Sequence, residues 1–132
     1  MVYTPPRNKI ASTLYIDYAT MTDSGGANAS AAVIINVVTP VAAPHITKVS
    51  VGGGKVVTVA WSWSGTAPLQ EFRLERKVNT KTGVWGQVGR AIGPSLRSIT
   101  DSPGKGKWSY RMFALSSAVT SASSNVVNTT VN

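Results

Sequence analysis

The chain has 132 residues, enough for one domain and a short additional segment. Hydrophobic residues make up 42%, which can fill one core, and the 14% of charged residues argues against a chain kept unfolded by its own charge. With no cysteine, one histidine and five acids, disulfide frameworks, thiolate metal sites and multi-histidine centres are excluded, and hydrolytic or metal chemistry is disfavoured.

Thirteen lysines and arginines against the five acids give a formal net charge of +8. Such a balance points to an acidic partner: nucleic acid, an anionic surface or an acidic protein assembly. The cations form no dense run; the nearest to a cluster is Arg73, Arg76 and Lys77, with Lys81 beyond. The start, Met-Val-Tyr-Thr-Pro-Pro-Arg, has no apolar stretch behind its charges, so no secretion leader is expected. No apolar run approaches the ~20 residues of a membrane helix. The apolar stretch from Ala31 to Val38 is broken by Asn36 and ended by Pro40.

In chain order, Pro5 and Pro6 hold the start extended. Ser12 to Thr20 reads as a strand with Leu14, Ile16 and Tyr18 on one face. Asp23 to Asn28 is turn chemistry around Gly25 and Gly26, and Ala31 to Thr39 reads as a second strand. The pair makes a hairpin arm, followed by a semi-rigid linker from Pro40 to Pro44. Seven strand candidates follow, at His45 to Val51, Lys55 to Ser64, Leu69 to Val78, Val84 to Ala91, Pro94 to Thr100, Lys107 to Leu115 and Ser123 to Asn132. Period-two alternation puts Val57, Val59, Trp61 and Trp63 on one face. It does the same for Phe72, Leu74 and Arg76, and for Trp108, Tyr110, Met112 and Ala114. Sheets apolar on one face must stack, so the expected fold is all-β: a seven-stranded sandwich over residues 42–132, with an N-terminal extended arm or β-hairpin and linker over residues 1–41.

The residues that carry a family likeness lie in the same order. Pro44 leads in, Val-Thr-Val-Ala-Trp61-Ser forms the second strand, and Phe72-Arg-Leu-Glu-Arg the third. Thr-Asp101-Ser-Pro-Gly then precedes Trp108-Ser-Tyr-Arg-Met-Phe-Ala114. This run resembles a fibronectin type III module of the immunoglobulin-like sandwiches. Trp108 stands where that family usually places the tyrosine of its corner motif, and an indole offers a donor only. The N-terminal segment echoes the last two strands of such a module when Tyr15 is set against Tyr110 and Ala19 against Ala114. That register puts Asp17 on a core-facing position, so a simple hairpin is the better reading.

Catalytic motifs are not found. His45 at a strand start has no Gly-x-Ser-x-Gly elbow to serve, and Glu71 and Glu75 share a strand face with Arg73 between them, which reads as surface ion pairing. Gly52-Gly-Gly-Lys55 precedes a strand, whereas a phosphate loop opens a helix. Asn28-Ala-Ser and Asn128-Thr-Thr match glycosylation acceptors by chance. No cofactor and no metal is expected.

The candidate contact surface is the outward set Arg73, Lys77 and Arg111, joined by Lys105 and Lys107, with Trp85 as an exposed aromatic flanked by Gly83 and Gly86. The candidate assembly arm is Leu14, Ile16, Tyr18, Val33, Ile35 and Val37, because a lone hairpin is marginal in water and must pack on or add to another sheet. The sequence thus points to a non-catalytic structural or interaction protein. The first expectation is a virion component, such as a phage decoration or tail protein, docking through its arm on an acidic capsid or tail surface or on copies of itself. The alternative is a binding or spacer module of a larger secreted bacterial protein that contacts glycans or surfaces. Nucleic acid is a less favoured partner.

Overall fold

The structure, a computed structural model, describes residues 13–22 and 24–132, with backbone alone for 13–22 and 28–37. Nine strands follow in order: β1 (Thr13–Thr22), β2 (Asn28–Val37), β3 (His45–Val51), β4 (Val57–Ser62), β5 (Glu71–Val78), β6 (Gly86–Gln87), β7 (Ser98–Asp101), β8 (Gly106–Leu115) and β9 (Val127–Val131). The chain divides between Thr39 and Pro40 into two compact units.

The first unit holds an antiparallel ribbon of β1 and β2, paired from Thr13↔Val37 to Thr22↔Asn28. Both strands run further toward the loop than their expected ends, and Gly26 takes a left-handed φ of 85° within it. Residues directly opposite one another share a face. Leu14, Ile16 and Tyr18 stand opposite Asn36, Ile34 and Ala32, whereas Val33, Ile35 and Val37 stand opposite Asp17, Tyr15 and Thr13. The six candidate arm residues therefore divide three and three between the two faces.

The second unit is the sandwich. One sheet has the order β3-β4-β7, the other β6-β5-β8-β9, and every pair is antiparallel. Period-two alternation builds the core as expected: Val57, Val59 and Trp61 face Phe72, Leu74, Tyr110, Met112 and Ala114, all buried. Burying each large apolar side chain contributes about 1.5–3 kcal/mol. Trp61 meets Phe72 edge-on with centroids 5.4 Å apart. Within the stretch expected as linker, Val41 and Pro44 are buried, and Trp63 Nε1 donates to the Ala42 carbonyl at 2.8 Å.

Five expected strands are shorter than their sequence suggested; Lys55 to Ser64 and Leu69 to Val78 lose only end residues, as Val57–Ser62 and Glu71–Val78, and three change more. Val84 to Ala91 yields only β6, because Gly89 turns the chain with φ 64°. Val88 and Ile92 then enter the core through backbone bonds to Leu74 and Phe72. Pro94 to Thr100 pairs only from Ser98, since the chain first turns through a bond from Leu96 N to Gly93 O. Before β9, side chains replace ladder bonds: Ser124 Oγ accepts from Met112 N at 2.8 Å and Ser121 Oγ from Ala114 N at 2.9 Å. Asn125 does the same for β3, accepting from Ile46 N at 2.8 Å and donating to Ile46 O at 3.0 Å. Serine and asparagine side chains form such bonds readily, which is why the strand expected from Ser123 pairs only from Val127.

A side-chain bond to the backbone, of the kind the resemblance implies for a corner, is made by Trp108. Trp108 Nε1 donates to the Gly104 carbonyl four residues upstream, at 3.1 Å. A donor is all the corner needs, so the indole does what a phenol would do there.

Candidate functional site

The outer face of β6, β5 and β8 gathers most of the expected contact residues. Phe72 and Leu74 point inward on β5, so Arg73, Glu75 and Lys77 point outward. Strand register sets Arg73 opposite Phe113, Glu75 opposite Arg111 and Lys77 opposite Ser109. Gln87 lies opposite Glu75 on the other side, which brings Trp85, two residues earlier, beside Lys77.

These side chains form a ladder of cations, rings and one carboxylate. Arg111 donates from Nε to Glu75 Oε2 at 2.8 Å, with Nη2 2.7 Å from the same oxygen. Arg73 Nε lies 3.3 Å from Glu75 Oε1, an ion pair without hydrogen-bond alignment. The Arg111 guanidinium carbon sits 4.4 Å from the Trp85 ring centre and 5.1 Å from that of Phe113. Arg73 lies 4.9 Å over Phe113, and Lys77 Nζ 5.3 Å over Trp85. Each cation–ring contact is worth about 0.5–1 kcal/mol at such a site, and half-exposed ion pairs about as little. The ladder's effect is therefore to fix long side chains in place rather than to hold the fold.

Lys107 continues the outward phase of β8, opposite Thr130 of β9, and Lys105 lies in the preceding turn; both are exposed. The structure thus brings Arg73, Lys77, Arg111 and Trp85 into direct contact through Glu75 and Phe113, with Lys105 and Lys107 toward one end. In the sequence Phe113 stands out only as part of the family-like run, not as a contact residue. Its odd-numbered phase on β8, shared with Arg111, was the available signal.

A second polar cluster lies between the sheets. Arg76, inward on β5, donates through Nη1 to both oxygens of Asp101, at 2.5 and 2.6 Å. The buried Tyr110 hydroxyl donates to Asp101 Oδ2 at 2.8 Å, and the Arg76 guanidinium lies 5.2 Å over Trp108. Burial first, then the hydrogen bond to Asp101 and its charge, push the Tyr110 hydroxyl well above the ordinary phenol range. Every group is satisfied within the cluster, so it ties β7 of one sheet to β5 and β8 of the other. The inward phase of Arg76 is legible in the sequence, whereas its partner Asp101 opens a stretch whose composition reads as a turn.

The other chemical candidates do not assemble. His45 is exposed at the start of β3. Glu71 pairs opposite Leu115, four residues from Glu75, which is engaged by two guanidiniums. Gly53–Lys55 is a single exposed 3-10 turn. Among the described residues no group of three His, Asp or Glu could hold a metal ion, and no helix is long and apolar enough to cross a membrane.

No family model matches the chain, and no curated protein matches it. Solved structures do match in fold. A β-1,2-glucanase from Parabacteroides distasonis aligns with a TM-score of 0.60 at 17% identity, over 83% of this chain and 16% of that one. A structure described as a myokine aligns at TM-score 0.50 and 18% identity, over 70% of this chain and 98% of that one. A fibronectin type III domain of human fibronectin type III domain containing protein 3 aligns at 0.47 and 19%, over 70% and 84%. The sandwich is a fibronectin type III-like module in fold, in agreement with the motifs and with the two-sheet strand order. The chain spans 16% of the length of the glucanase it matches.

Proposed function

We propose that the chain is a non-catalytic binding module that contacts its partner through the outer face of β6, β5 and β8. The observation that carries this reading is the ladder. Three cations are held in fixed positions by Trp85, Phe113 and a single carboxylate, on a sheet face that the core does not need. Pre-ordered side chains lose less entropy on binding, which favours a contact role.

Of the two settings drawn from the sequence, the module of a larger glycan-active protein gains support from the glucanase match. There the same fold is a small part of a longer chain. That match also covers more of this chain than the sandwich alone supplies, so it reaches into the ribbon unit. The virion setting rests on the ribbon and the basic charge.

The test is calorimetric titration of the full chain with a β-1,2-glucan and with acidic peptides. Trp85→Ala should weaken whichever interaction is found by about tenfold, and Lys48→Ala on β3 should leave it unchanged. Equal binding by wild type and Trp85→Ala would overturn the reading.

A further inference from the structure

We infer that the ligand of this face is an extended acidic polypeptide, held by the cations of the ladder while Trp85 acts as their positioning residue. The inference rests on the reading of the face as the contact surface.

Three observations select this chemistry. The first is that Trp85 is already occupied. Arg111 and Lys77 lie 4.4 and 5.3 Å from its ring centre, and Trp85 is half-buried rather than exposed as expected, so the indole offers less open ring for a sugar or a base to stack on. The second is charge. Arg73 and Arg111 share Glu75, and among the described residues Lys77 has no carboxylate partner. Three cations against one acid leave the cluster positive, which offers a neutral glycan nothing and attracts carboxylates.

The third is spacing. Outward residues on β5 repeat about 6.7 Å apart, which is also the repeat of alternate side chains in an extended peptide. A peptide lying along β5 can set acids four positions apart against Arg73 and Lys77, with the middle of the three residues between them opposite Glu75. At that central position Glu75 already draws on Arg111 and Arg73, so a third acid gains least there. A polyanion charged at every unit, such as a nucleic acid or a polyuronate, cannot avoid placing charge over Glu75. A peptide can.

The test uses the full chain and three peptides, Gly-Glu-Thr-Ser-Thr-Glu-Gly and its variants with Lys or Glu in place of the central Ser, beside polygalacturonate and a single-stranded oligonucleotide. Affinity should fall in the order Lys, Ser, Glu at the central position, by about fivefold from first to last. It should fall with added salt, and it should fall again in Lys77→Ala. Trp85→Ala should weaken the peptides, and Trp85→Phe should restore part of the loss, since a smaller ring still seats the cations. Tighter binding of polygalacturonate or the oligonucleotide than of any peptide, lost in Lys77→Ala, would overturn the peptide assignment and leave the face as the contact surface. Indifference to the central residue would also overturn it. If neither Lys77→Ala nor Trp85→Ala changes binding of any probe, the reading of the face itself falls.

Discussion

Tyr110 shows how one inward residue couples the two sheets to pH. Its ring is buried in the core, and its hydroxyl donates to Asp101, which Arg76 holds from the other side. Burial and the neighbouring carboxylate both disfavour the phenolate, so the folded hydroxyl titrates above its ordinary value of 10.0. The sign follows from linkage. The unfolded chain loses this proton first, so the contribution is fully present below about pH 10 and is lost as pH rises beyond it. Denaturant midpoints should therefore fall from about pH 10 upward, and more steeply in wild type than in Tyr110→Phe. The difference in phenolate absorbance between the two proteins should stay flat until the fold is lost. A phenolate appearing in the folded state, at the ordinary value, would contradict the buried hydrogen bond. The inward phase of Tyr110 and of Arg76 was legible from alternation alone. Asp101 was not, because a carboxylate at the end of a strand has the same local sequence as a turn, and only the opposing sheet gives it a partner.

At the scale of elements, β5 and β8 were legible almost to the residue, and their outward rows were legible with them. Long strands with strict alternation leave one register that buries the apolar set. β6 lies inside the strand expected at Val84 to Ala91, but its two-residue length and the placement of Trp85 before it are not legible, because a stretch with glycines at 83, 86 and 89 carries no clear period. What positions Trp85 is the turn after β5. Thr80 N donates to Val78 O at 2.8 Å, and Gly83 N to Thr80 O at 3.3 Å. A Cβ at Gly83 would lie 2.1 Å from the Val78 carbonyl oxygen, whereas one at Gly86 would meet nothing within 4 Å. Backbone on backbone cannot yield by a rotamer change, so Gly83→Ala must open the turn. It should cost about 1–3 kcal/mol and move Trp85 off Arg111 and Lys77, while Gly86→Ala should stay within about 0.5 kcal/mol of wild type. Thermal unfolding of the two variants checks the first part. The peptide affinity of Gly83→Ala, measured well below its midpoint, checks the second. Full affinity in Gly83→Ala would mean that the turn does not place the indole.

At the scale of the whole molecule, the second unit carries a core of its own. Among the described residues the buried core runs from Val41 to Val131, all within the second unit. Asn125 links β9's approach to β3, and Asp101 links the sheets. A chain of residues 40–132 is therefore expected to fold alone, with one cooperative transition close to that of the sandwich in the full chain. The ribbon is a different case. Its register sets Ile16 opposite Ile34 on one face and Tyr15 opposite Ile35 on the other, with Val33 and Val37 beside the latter. A two-stranded ribbon is marginal in water, and one apolar on both faces needs cover on both, which a single flat contact cannot supply. Association between copies meets that need, because an isologous pair can enclose one face and a further copy the other. Light scattering should then find the full chain oligomeric and residues 40–132 monomeric, with a melting midpoint that rises with concentration only for the full chain. Two monomers of equal, concentration-independent stability would show that the ribbon takes its cover from a different partner, and that the residues of the arm do not serve self-assembly.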